Sequence, residues 1–89
     1  MAEFLVEQYV SRSDGTAAEQ GAQRALRAAE EMSREGTPVA YVRSIFAPED
    51  ETCFYLYEAA SAEVVREAAR RAALPSERVT EVVSKGGTR

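Results

Sequence analysis

Two strand-like runs, Val39–Ala47 (VAYVRSIFA) and Thr52–Ala59 (TCFYLYEA), stand only four residues apart in this 89-residue chain, and those four are Pro48, Glu49, Asp50 and Glu51. A connection that short joins antiparallel neighbours, because a parallel pair needs a crossover of a dozen residues or more. On the outer side of each run lies a segment with helical period. Before the hairpin, Ala18, Ala22, Ala25, Leu26, Ala29 and Met32 recur at steps of three and four, and Gly36 and Pro38 close the segment. Thr16 and Glu19 have the spacing of a capping box at its start. After the hairpin, Ser61 is placed to cap a second helix over 62–74, with Val64, Val65, Ala68, Ala72 and Leu74 apolar, and Pro75–Glu77 break it.

Each helix is flanked by a further strand, Glu3–Ser11 before the first, behind a turn at Arg12–Gly15, and Arg78–Ser84 after the second. The order is therefore β-α-β-β-α-β. Right-handed crossovers turn that order into a four-stranded antiparallel sheet with both helices on one face. The expected class is α+β, a ferredoxin-like sandwich. One domain is expected over 1–84, with 85–89 a flexible tail. The fold name carries no iron–sulfur cluster, since one cysteine cannot ligate one.

Alternation along the strands sorts the side chains. Phe4, Val6, Gln8 and Val10 share one face of the first strand; Leu5, Glu7 and Tyr9 share the other. The most economical assembly puts Phe4, Phe46 and Phe54 beneath the helices, with Ala40, Val42, Ser44 and Leu56. Phenylalanine has no polar atom, whereas a tyrosine hydroxyl wants a partner or water. All four tyrosines, 9, 41, 55 and 57, then emerge on the uncovered side with Leu5, Val39, Arg43, Ile45 and Cys53. Four strands about 4.8 Å apart and about 20 Å long present on the order of 400 Å² there. Leu5, Tyr9, Tyr41, Ile45, Tyr55 and Tyr57 are the residues expected to pair two copies as a homodimer.

Composition narrows the partners. The chain has 11 basic and 15 acidic residues, a net charge of −4 and no histidine. An acidic surface reads against nucleic acid or an anionic membrane as partner, because phosphate binding needs positive charge. The arginines of REAARRAA, 66–73, fit a solvated helix face. A lone cysteine points to a reducing, cytoplasmic setting, and MAEFLVEQYV lacks the basic-then-apolar order of a signal peptide. No window reaches the roughly 20 apolar residues of a membrane span.

The segments FLVEQYV, EGTPVAYVRSIFAPEDETCFYLYEA and LPSERVTEVV together resemble a small ferredoxin-like family of domains of unknown function, some of them known as nickel-binding proteins. The resemblance covers Glu3 to about Val83, and PEDETCF is its most specific piece. It implies a dimeric sandwich and, for some members, surface nickel or another divalent metal. It implies no enzymatic activity. Nickel favours imidazole and thiolate, and without histidine its binding is expected to be looser than in histidine-bearing relatives, or absent. The candidate metal ligands are Cys53 and Glu7, then the acids Glu49, Asp50 and Glu51, which otherwise form a solvated turn.

Two other readings stay open. A cofactor-free enzyme, or a small-molecule binder of a biosynthetic pathway, would use an open-face pocket with Glu7 or Glu81 as base, Arg43 as anion clamp and Tyr55 as hydroxyl donor. The same Glu7, Arg43 and Glu81 could form only an ion-pair row. A purely structural subunit is the third reading. No phosphate loop, zinc spacing, nucleophile elbow or dinucleotide fingerprint is present.

Overall fold

The computed structural model describes residues 1–83. β1 (Ala2–Tyr9), α1 (Gly15–Arg34), β2 (Val39–Ala47), β3 (Thr52–Ala59), α2 (Ala62–Arg71) and β4 (Val79–Val82) follow one another, with a 3-10 turn at Pro48–Asp50. The sheet runs β2-β3-β1-β4, every pair antiparallel. This is the expected ferredoxin-like α+β sandwich. β2 and β3 match their expected bounds; α2 and β4 are shorter. The expected tail 85–89 and Ser84, the expected end of the last strand, lie outside the described residues.

Local chemistry explains the joints. Pro48 opens the 3-10 turn, Glu51 takes the left-handed conformation at φ 50°, and Thr52 Oγ1 donates to the Asp50 carbonyl at 2.9 Å. Ser61 caps α2 as expected, accepting from the Val64 amide. At α1 the cap is Asp14, whose Oδ1 accepts from the Ala17 amide at 3.1 Å, so the helix starts ahead of the expected Thr16–Glu19 box. An aspartate at that position satisfies the same orphan donors. Gly36, at φ 103°, ends α1 as expected.

The faces differ from expectation in β3 and in half of β2. Directly paired residues of an antiparallel sheet share a face. Tyr55 pairs with Val6, Tyr57 with Phe4 and Cys53 with Gln8. Cys53, Tyr55 and Tyr57 therefore lie beneath the helices, each with 0% exposure. Phe54 and Leu56, expected in the core, face the uncovered side opposite Glu7 and Leu5. In β2 the register shifts between Tyr41 and Arg43, leaving Val42 as the extra residue. A bulge reverses alternation. Val39 and Tyr41 accordingly join the helix side and Ala40 the open side, while Ser44, Phe46, Arg43 and Ile45 keep their expected faces. Of the four tyrosines only Tyr9 is on the open face, 72% exposed.

The small residues of α1 decide this arrangement. Its buried face is Ala18, Gly21, Ala25, Ala28, Ala29 and Met32, and that of α2 is Val65, Ala68 and Ala69. Helices this slender lie close to the sheet and need large side chains beneath them to reach interior packing density. Tyr55 and Tyr57 supply that volume. The Tyr55 hydroxyl reaches past the backbone of Gly21 and donates to Gln8 Oε1 at 2.7 Å. The Tyr57 ring meets Tyr41 edge to face at 5.9 Å. Its buried hydroxyl has no hydrogen-bond partner among the described residues. An unsatisfied buried hydroxyl is unfavourable, so Tyr57→Phe should leave stability unchanged or raise it by up to about 1 kcal/mol. Tyr55→Phe, which strips the donor from Gln8, should lower it by about 1 kcal/mol. Urea unfolding of the two variants separates these signs.

Arg71 ties the helices together. It donates to Glu67 one turn back at 3.0 Å, and across to Glu31 at 2.9 Å and Glu35 at 3.0 Å on α1. Arg24 Nε also caps the end of α2, donating to the Ala72 carbonyl at 2.8 Å. The Arg71 hydrogen bond holds the Glu35 carboxyl below its ordinary value of 4.5. A depressed folded-state value contributes stability above the unfolded value, lost as pH falls through the folded one. Arg71→Gln should therefore be less stable than wild type at pH 6, and the gap should close as pH falls below about 4.5. Thermal melts across that range check it.

Candidate functional site

The open face of the sheet carries a second apolar group. Leu5, Ile45, Phe54 and Leu56 stand on adjacent strands there, and none belongs to the core cluster under the helices. Leu56 is 7% exposed, screened by its neighbours in the sheet, while Ile45 is 50% exposed and Val42 at the bulge 41%. Charged side chains flank the group, with Glu3, Glu7 and Glu58 on β1 and β3 and Arg43 on β2.

A cleft of about 430 Å³ opens at one end of that face, between β1 and the loop leading into β4. Glu7, Tyr9, Thr52, Glu77 and Arg78 line it. It exists because β4 pairs with β1 only from Glu3 to Val6. Beyond Val6, the β4 side of β1 has no strand partner among the described residues.

The expected residues are only partly brought together. Glu7 lies in the cleft. Arg43 is on the same face but two strands away, in the row of Leu5 and Leu56. Tyr55 is on the opposite face, sealed under α1, where burial pushes its hydroxyl well above the usual value. The Glu7, Arg43 and Tyr55 constellation therefore does not assemble. Nor does the Glu7–Arg43–Glu81 row, because Glu81 pairs with Phe4 and takes the helix side. Arg78 in the cleft was missed by sequence reasoning. Its position depends on where β4 begins, which strand periodicity alone does not fix.

The metal candidates are scattered. Cys53 is fully buried in mid-sheet, and burial pushes its thiol up, offset in part by the neighbouring Tyr55 hydroxyl. Glu49 and Asp50 are exposed on the 3-10 turn, and Glu51 Oε2 accepts from the Arg12 amide at 3.1 Å. Successive residues of a 3-10 turn point about 120° apart, so these acids do not converge. Among the described residues no group of three or more Cys, Asp or Glu is placed to hold an ion. This donor set does not fit nickel, which prefers imidazole and thiolate.

Residues 4–82 match the profile of a protein family described as nickel responsive protein, SCO4226-like. The fold is similar to the crystal structure of SCO4226 from Streptomyces coelicolor A3(2), with a TM-score of 0.61 and 19% sequence identity over 96% of this chain and 100% of that one. No curated protein matches the chain.

Proposed function

The chain belongs to the SCO4226-like family of nickel responsive proteins, and from that premise we propose that it is a homodimeric binding protein serving in a nickel response. The observation that carries the pairing is the second apolar group, Leu5, Ile45, Phe54 and Leu56, on a sheet face that no helix among the described residues covers. Phenylalanine and leucine on that face make it drier than tyrosines would, and a second copy of the same face is its natural cover. The footprint, on the order of 400–500 Å² per copy, buries about 800–1,000 Å² in total, at the bottom of the range for a specific interface. A footprint this small matches weak, transient pairing, and the expected dissociation constant is about 1–100 μM. Both copies are acidic, so salt should tighten the pair rather than loosen it. Sedimentation equilibrium across that range tests the reading. A species that stays monomeric at about 1 mM removes it.

A cytoplasmic setting, where a lone thiol stays reduced, is part of the same proposal. A second reading has one observation behind it, the cleft lined by Glu7 and Arg78, whose opposite charges and Tyr9 and Thr52 hydroxyls suit a small polar ligand. In that reading, a fragment screen by NMR should give amide shifts clustered on Tyr9, Thr52 and Arg78 and abolished by Arg78→Ala. Shifts scattered over the surface would count against it.

A further inference from the structure

We infer that this member of a nickel responsive family holds no nickel ion of its own, as one copy or as two. The argument rests on donor chemistry. With no histidine, the soft or borderline ligands reduce to Cys53. Its sulfur lies under the helices at 0% exposure, in a strand paired on one side to Gln8 and on the other to Phe46. Ligation requires a thiolate. Forming one here would put an unpaired charge in the core, and exposing it would strip β3 from its two neighbours.

Only oxygens are left. The turn acids Glu49, Asp50 and Glu51 diverge, and one of them is engaged by the Arg12 amide. Glu7 and Glu77 share the cleft with the Arg78 guanidinium, which competes with any cation there. Pairing two open faces adds more carboxylates, those of Glu3, Glu7 and Glu58, and no nitrogen or sulfur donor. Residues 84–89, SKGGTR, contribute no Asp, Glu, Cys or His. Oxygen donors alone suit hard cations such as magnesium, calcium or manganese, and among the described residues these carboxylates converge on no single ion. A role in a nickel response is then exerted without a resident ion, through the faces described above.

The inference stands apart from the proposed dimer, and equilibrium dialysis distinguishes the two. Untagged full-length protein is dialysed against about 100 μM nickel chloride, at protein concentrations below and above the pairing range, and metal is read by elemental analysis. Expected uptake is below about 0.1 ion per chain at both concentrations, with no thiolate-to-nickel absorption band. Saturable uptake of one ion per chain overturns the inference, and uptake of one ion per pair at high concentration overturns it while supporting the dimer. Cys53→Ser and Glu7→Gln then name the ligand responsible. Uptake of manganese without nickel upholds it.

Discussion

Gly21→Ala should destabilise this protein by about 1–3 kcal/mol, enough to lower Tm by about 5–20 °C in a domain of this size. The sign makes the test, because replacing a mid-helix glycine with alanine ordinarily stabilises by about 0.5–1 kcal/mol. Here the added methyl would fall inside the contact radius of Tyr55 Oη and lie 3.1 Å from Cζ. The ring cannot retreat. Tyr55 is fully buried between α1 and the sheet, and its hydroxyl is anchored on Gln8 at 2.7 Å. Tyr55→Phe removes the closest atom, so Gly21→Ala should cost less in that background, with a coupling of about 1 kcal/mol or more in a double-mutant cycle. Gly15→Ala, where a methyl meets nothing within 4 Å, is the control and should stay within about 0.5 kcal/mol of wild type. Equal stability of Gly21→Ala and wild type would show that α1 does not sit on the Tyr55 ring.

That contact also shows what could be read from the residues alone. The hairpin, the element order and the sheet were legible, because the PEDE connection and two helical stripes leave few ways to assemble six elements. The face of β3 was not. Strand alternation says which residues share a face but not which face meets the helices, and the choice was made on the dryness of phenylalanine. The weightier signal was the emptiness of the helix stripe. Ala18, Gly21, Ala25, Ala28 and Ala29 leave depth beneath α1 that two phenols fill and a Phe54–Leu56 pair would fill less fully. The hydroxyl of Tyr55 was affordable there because Gln8, correctly placed on the helix side, could accept from it. Val42 hid a second error, since a one-residue bulge leaves no mark in the composition of a strand and yet moved Tyr41 to the other side.

The inverted β3 sharpens the second large prediction. With Phe54 and Leu56 outward, a charge planted in the open face should break pairing without breaking the fold. Ile45→Glu is the cleaner variant, since Ile45 is 50% exposed and lies outside the core cluster. A carboxylate there is solvated in the single copy and desolvated without a partner in the pair. The dissociation constant should rise at least about 100-fold, roughly 2.7 kcal/mol, while the Tm of dilute, monomeric protein changes little. Phe54→Glu, nearer the middle of the sheet, should dissociate the pair as fully and also cost some monomer stability, because Phe54 stands between Ile45 and Glu7 in its cross-strand row. Arg43→Glu changes the sign of a rim charge and should act mainly through salt dependence. Sedimentation and melts on the same samples separate association from folding. If Ile45→Glu and Phe54→Glu both pair as tightly as wild type, the copies meet elsewhere and the uncovered apolar row has a different occupant. If Ile45→Glu unfolds the dilute chain, that row is structural in its own right, and Leu56, at 7% exposure, is the residue through which it holds the sheet.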